Sequence, residues 1–304
     1  MSRLTAITTN QEAGWFLGMD DGQVYRIDKE ILEEKAKKKL NPPPAGINLS
    51  VDEVSYRKYH NYLTNVIDKD KRLLIWNQKG HTAEVLNQYY ERIGPKSCAL
   101  IESVALDGAK TYISSTRQYA VNALIVCDKF HIMQKLNRCV DEVRKKELKR
   151  ARIEKNDKLI ELTQSRQRFI LVKHKARLTE KQSLYLERLC AMNVPIYKAM
   201  LLKESFLQFY HFQTVEDAKE YLENWIRECF ASGLEAFEII AESFTNKKTY
   251  LLNGFVKKIS SAISEGFNNK IKRLKRMAYG YRNIDYFRLK IHQHCGLLNP
   301  RIAT

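Results

Sequence analysis

Residues 47–78 read INLSVDEVSYRKYHNYLTNVIDKDKRLLIWNQ. Three runs rich in Val, Ile, Leu and Tyr stand in this stretch: INLSVDE (47–53), NYLTNVID (61–68) and RLLIWNQ (72–78). The polar segments YRKYH and DKDK lie between them. Branched and aromatic residues bounded by polar turns are strand signals, and turns this short join antiparallel neighbours. The reading is a three-stranded meander.

Downstream the period changes. EVLNQYYERIG (84–94) reads as a helix that stops at Gly94, IESVALD (101–107) as a fourth strand, TYISSTRQYA (111–120) as a helix, and ALIVCD (123–128) as a fifth strand. Strands that alternate with single helices imply parallel pairing for the last two. From about His131 to Ser243 the chain is long, polar and helical, with RFILV (168–172) the one stretch that could be a strand. A last helix is predicted from near Asn253 past Glu265.

Upstream, Gln11–Leu17 and Gly22–Leu32 read as two helices joined by GMDDG (18–22), the pattern of a helix-turn-helix. KAKKKLNPPPAG (35–46) is basic and then proline-rich; it cannot continue a helix past Leu40 and reads as a linker. The expected organisation is a helix-turn-helix segment and linker over 1–40, a catalytic core over 41–133, a helical insertion over 134–250, and the C-terminal helices of the core over 251–304.

The 304 residues carry 52 Lys and Arg against 35 Asp and Glu, a net charge of +17. Residues 134–181 contribute +9 and residues 257–290 contribute +8, so two segments account for the whole excess. Localised positive charge of this size points to a nucleic-acid partner. The bland alternative is a solvated, lysine-rich helix surface. No apolar run approaches a membrane span, so no membrane partner is expected. The six cysteines stand singly with no CxxC, which argues for a reducing, cytoplasmic setting and against a thiolate zinc site.

Three acids stand out by position. Asp52 ends the first predicted strand, Asp107 ends the fourth, and Glu265 heads the run SEGFNNKIKRLKR (264–276). If strands one and four are neighbours, Asp52 and Asp107 lie side by side. Two carboxylates at close range repel unless a divalent cation joins them, and hard oxygen ligands suit Mg²⁺ or Mn²⁺. Each Asp alone is more simply a turn or helix cap. Around the late helix, Val256, Ile259, Ile263, Phe267, Ile271, Leu274 and Ala278 form one apolar stripe. Glu265 lies nearly opposite it, with Asn268, Asn269, Lys272 and Arg276. Glu265 has no basic residue three or four positions away, so the usual helical ion pair is absent.

VDEVSYRKYHNYLTNVIDKDKRLLIW (51–76), VALDGAKTYISSTRQYAVNALIVCDKFHIMQKLNRCVDEVRKKE (104–147) and EGFNNKIKRLKRMAYGYRNIDYFRLKIHQHCG (265–296) together resemble the ISL3-type bacterial insertion-sequence transposases, which are DDE enzymes. The resemblance runs in order over roughly residues 12–298. It implies an RNase H-like mixed sheet of order β-β-β-α-β-α-β-α with a long helical insertion, preceded by a small helix-turn-helix. It also implies DNA cleavage and strand transfer by Asp52, Asp107 and Glu265 around two Mg²⁺ or Mn²⁺ ions. CDKFH (127–131) resembles a signature of related transposases and brings Asp128 and His131 near the site, Asp128 as a metal ligand or a helix cap. Asn268, Asn269, Lys270, Lys272, Arg273, Lys275 and Arg276, with residues 134–181, are expected to hold the DNA backbone.

The implied partners are double-stranded DNA, as terminal inverted repeats and target, and a second copy of the chain. The implied location is the bacterial nucleoid. Family members usually begin with a cysteine-rich zinc region that is missing here, so the chain reads as N-terminally truncated. Two other readings stay open: a structure-specific nuclease of the same fold, and a truncated copy that only binds DNA as a regulator.

Overall fold

The computed structural model describes residues 1–57, 61–173, 177–256 and 262–300, and of residues 262–264 the backbone only. The chain divides into two compact units, one of residues 1–128 with 260–304, the other of residues 129–259.

The first unit is built on a five-stranded mixed sheet. Its strands are β1 (Asn48–Arg57), β2 (Asn61–Asp68), β3 (Leu73–Lys79), β4 (Ser103–Leu106) and β5 (Leu124–Cys127), in the spatial order β3-β2-β1-β4-β5. The first three pair antiparallel, as the short polar connections require. β1–β4 and β4–β5 are parallel, as the intervening helices require. Those helices are α3 (Ala83–Ala99) and α4 (Lys110–Tyr119). α3 is broken at Gly94, whose φ of 77° is left-handed, with Pro95 following, so its first segment ends where the sequence places the stop.

β1 is longer than the sequence suggested. Asp52 does not end it; the strand continues to Arg57 because Glu53–Tyr56 keep pairing with β2. Its even positions Asp52, Val54 and Tyr56 are buried on one face, and Ser55 and Arg57 are exposed. The helix α13 (Ala262–Met277) covers the buried face. Phe267, Ile271 and Leu274 of its apolar stripe pack into one cluster with Val54, Tyr56, Leu63, Ile67 and Leu74. The same cluster takes Phe287, Ile291 and Cys295 from α14 (Ile284–Cys295). Helix is present on both sides of the predicted span, as α12 (Lys248–Val256) and α13, and the stretch between them, on which the expected single helix turns, lies outside the described residues.

Two helices open the chain, α1 (Asn10–Leu17) and α2 (Asp21–Lys39). Thr9 and Glu12 form a capping box on α1, Gly18 closes it at φ 64°, and the Asp20 carboxylate caps α2 through Gly22 and Gln23. Lys35–Lys39 belong to α2 rather than to a linker; the helix stops only at Leu40, ahead of the prolines. The pair is tied to α14 by buried polar contacts. Lys290 Nζ meets Asp28 Oδ2 at 3.3 Å, and the Tyr286 hydroxyl donates to the same oxygen at 2.7 Å.

The second unit is all-helical among its described residues: α5 (Lys129–Ile153), α6 (Asp157–Thr163), α7 (Arg168–Val172), α8 (Glu180–Met192), α9 (Val194–Gln208), α10 (Val215–Ala231), α11 (Glu235–Asn246) and α12. RFILV, read as a possible strand, is the helix α7; the described residues of this unit offer it no strand to pair with. The core is aromatic. The Phe206 ring lies 4.7 Å from Trp225 and 5.2 Å from Phe244, and the Trp225 indole donates to the Leu202 carbonyl at 2.9 Å.

Candidate active site

The parallel register decides how the acids meet. Asn48 pairs with Ser103 and Ser50 with Ala105, and on β4–β5 Ser103 pairs with Leu124 and Leu106 with Cys127. Carried forward at the same offset, Asp52 is level with Asp107, and Asp107 with Asp128. Three aspartates therefore stand in a row across three neighbouring strands, Asp52 within β1 and the other two one residue past β4 and β5. Strands about 4.8 Å apart place such neighbours within reach of one another.

Asp52 is buried, and both carboxylate oxygens are engaged. Oδ1 accepts from the Glu53 amide at 2.7 Å, and Oδ2 accepts from Asn268 Nδ2 of α13 at 2.6 Å, a contact 216 residues apart in sequence. Asp107 is half-buried; its Oδ1 takes the Ala109 amide at 2.7 Å, which shapes the turn into α4. Asp128 is buried, and its amide donates to the Leu106 carbonyl at 2.8 Å.

Glu265 is exposed in the first turn of α13, three residues before Asn268. Asn268 itself is not on the outward face that the helical wheel gave it. It is half-buried on the flank of the stripe and turned to Asp52. Among the described residues, no three His, Cys, Asp or Glu side chains are gathered closely enough to form a metal cluster. The structure thus levels Asp52, Asp107 and Asp128 and lays the Glu265 helix on Asp52, without closing Glu265 onto the pair. The donor set fits hard divalent ions: carboxylate oxygens, with no thiolate or imidazole among them.

His131, the other residue of the CDKFH motif, lies in the second unit at the start of α5, half-buried with its ring 5.5 Å from Phe130. The predicted DNA-contacting cations of α13 divide among its faces. Asn269, Lys272 and Arg276 are exposed on the Glu265 side, and Lys275 is half-buried. Lys270 and Arg273 line a cleft on another flank. In residues 134–181 part of the charge is structural. Arg144 is buried on Asp141 and the Thr163 carbonyl, Lys145 pairs with Asp141 and Glu142, and Arg150 pairs with Glu154.

Three residues near the aspartates were not singled out from the sequence. Glu53 points to the opposite side of β1 from Asp52. Burial raises its carboxyl above the usual range; the Tyr112 hydroxyl opposes this, and Asp107 and Asp52 add to it. Tyr112 of α4 shares a 2.8 Å hydrogen bond with Thr64 of β2, and burial raises its phenol. Lys69 is buried beside the sheet; desolvation lowers its ammonium pKa, and Asp128 and Asp70 oppose the shift. The strand alternation in VDE signals Glu53, whereas Tyr112 and Lys69 carry no local signal.

These features define a class: a mixed α/β protein with aspartates levelled on parallel strands and a cationic helix laid beside them. Comparison with known proteins supplies the family. The model of the ISL3-type DDE transposases, described as a transposase, matches residues 49–291. The chain belongs to this family of insertion-sequence transposases, enzymes that act on DNA. It is 27% identical over 292 residues to the transposase for insertion sequence element IS1001 of Bordetella parapertussis, covering 95% of this chain and 69% of that protein. It is 26% identical over 255 residues to the transposase for insertion sequence element IS1557 of Mycobacterium tuberculosis, covering 77% of this chain and 57% of that protein. No solved structure matches. No helix among the described residues is long and apolar enough to cross a membrane.

Proposed function

We propose that this chain, whose relatives are named as transposases for insertion sequence elements, cleaves and joins DNA at the ends of such an element through an RNase H-like core that carries Asp52, Asp107 and Glu265. The observation that carries the reading is the 2.6 Å contact between Asn268 and Asp52, which brings the Glu265 helix to a strand whose Asp52 is level with Asp107. The sheet order β3-β2-β1-β4-β5 supports the RNase H-like assignment, and the capped α1–α2 pair supports a helix-turn-helix.

Asp52, Asp107 and Glu265 are the ligands for two divalent ions, Mg²⁺ or Mn²⁺, with Asp128 next in the row. When bound, such a pair activates an attacking oxygen and stabilises a leaving one in phosphoryl transfer. Asn268 holds one Asp52 oxygen and the Glu53 amide the other, so the carboxylate is fixed in one orientation. Asn269, Lys272 and Arg276, exposed beyond Glu265, hold the backbone of duplex DNA. Two ends must be handled together, so a dimer or larger assembly on DNA is the working form.

The test is cleavage of labelled duplexes bearing the element's ends, with Mg²⁺ and with chelator, followed by a joining assay. Wild-type protein should cut and join only with the metal, and Asp52→Asn, Asp107→Asn and Glu265→Gln should each lower cleavage by about 10³-fold or more. Cleavage that persists in these variants would sink the assignment. Cutting without joining would mean a nuclease, and tight DNA binding without turnover a regulator.

A further inference from the structure

On the flank of α13 away from Asn268, the first unit has a cleft of about 850 Å³. At ~100° per residue, Lys270 and Arg273 lie roughly opposite Asn268 around the helix, with the buried stripe of Phe267, Ile271 and Leu274 on one side between them. Arg3, Lys270 and Arg273 line the cleft, and no carboxylate is among its described lining residues. Ile7, Leu274 and Met277 add apolar surface.

The floor comes from α14. Gln293 is 1% exposed and its Oε1 has no hydrogen-bond partner among the described residues; the same holds for Nε2 of His294. Buried polar atoms are nearly always satisfied, so these two enclosed atoms on residues that line the cleft leave hydrogen-bonding capacity that a ligand's polar edge reaching the floor would take up. Burial lowers the His294 imidazole to about 4, so at neutral pH it is uncharged and able to accept or donate one hydrogen bond.

The wall carrying Arg3 and Ile7 is held in place. Gln293 Nε2 donates to the Ser2 carbonyl at 2.7 Å, Lys290 Nζ to the Thr5 carbonyl at 2.5 Å, and Thr5 Oγ1 to Asp28 Oδ1 at 2.6 Å. The buried Lys290–Asp28 pair thus fixes residues 2–5 over α14 and fixes the mouth of the cleft with them.

We propose that this cleft binds an unpaired stretch of DNA, its phosphates on Arg3, Lys270 and Arg273 and a base edge on Gln293 and His294. A cationic rim and an apolar wall over a polar floor suit a strand whose bases are free to turn inward. In a duplex the base edges that would reach the floor are paired or shielded within the grooves. The proposal rests on the chain being an enzyme that acts on DNA: strand cutting creates ends whose terminal pairs can open, and this cleft lies around α13 from the aspartates that would produce them.

The experiment is fluorescence anisotropy with the full chain in metal-free buffer. The probes are a single strand of about 12 nucleotides, the matching duplex, and an abasic strand of equal length. Arg3, Lys270 and Arg273 are exposed, so the triple alanine variant should fold. It should weaken single-strand binding about tenfold or more while changing duplex binding several-fold less. His294→Leu should weaken the single strand by roughly three- to tenfold and leave the abasic strand unchanged. Equal losses for single strand and duplex, or single-strand affinity within about twofold of wild type in the triple variant, would overturn the proposal. Absence of metal-dependent cleavage alongside the expected binding pattern would sink the functional reading and leave the cleft assignment standing.

Discussion

Asn268 is the residue on which the candidate site turns. Its amide is the group that joins α13 to the Asp52 carboxylate, at 2.6 Å. Groups that orient a ligand from behind typically matter by one to two orders of magnitude. Asn268→Ala should therefore lower metal-dependent cleavage by about 10–100-fold with the circular dichroism spectrum unchanged. Asn268→Asp should be at least as harmful, because it sets a second carboxylate against Asp52. Wild-type rates in both variants would remove Asn268 from the site. Its role could not be read from the helical wheel, because 100° per residue separates the buried stripe from its opposite but leaves the flanks undecided. Only the neighbouring strand turns one flank inward.

Among the elements, α14 holds the first unit together from the side away from β4 and β5. Gly296, just after it, approaches β3 so closely that an added Cβ would lie 2.4 Å from the Leu74 carbonyl oxygen and 2.8 Å from His292 Nδ1. Backbone cannot give way cheaply there, so Gly296→Ala should cost about 1–3 kcal/mol in denaturant unfolding. The helix also docks α2 through the buried pair of Lys290 and Asp28, whose side chains are 4% and 0% exposed. Burial lowers the Lys290 ammonium pKa, and Asp28 pulls it back. Lys290→Met leaves Asp28 buried without its cation and should destabilise by about 3–5 kcal/mol. The double variant Asp28→Leu with Lys290→Met should recover most of that loss. If the double variant is as unstable as the sum of the singles, the two side chains are not coupled.

For the molecule as a whole, two buried histidines set the acid limit. Burial holds His292 down at about 3 and His294 at about 4, both below the ordinary value near 6.5. The unfolded chain binds protons that the folded one refuses, so stability rises with pH in this range. It is fully present above about pH 6.5 and is lost as pH falls from there toward 4 and then 3. At pH 5, His292 should account for about 2 kcal/mol of lost stability relative to pH 7. Melting temperature followed from pH 7.5 to 4.5 should fall, and the fall should be shallower in His292→Phe. An identical pH profile in that variant would assign the acid sensitivity elsewhere.

Much of this protein was legible in one dimension. The apolar runs from 47 to 128 specify five strands and their pairing sense, because short polar turns permit only antiparallel neighbours and intervening helices favour parallel ones. The stripe of Phe267, Ile271 and Leu274 specifies the face of α13 that is buried. Asp52, Asp107 and Glu265 could be chosen from position, and the motifs around them pointed to the family that the match over residues 49–291 shows. Local sequence could not say that Asp52 sits within β1 rather than at its end, since the strand's length depends on pairing with β2. Nor could it say that RFILV is helical, since a strand needs a partner that the described residues of this unit do not supply. Tertiary structure alone decided which aspartates stand level, which flank of α13 meets Asp52, and that Arg3, Lys270 and His294 share one cleft. The reason is common to all three: register and packing bring together residues up to 291 positions apart, as in the contact of Gln293 with Ser2, and no local rule reaches that far.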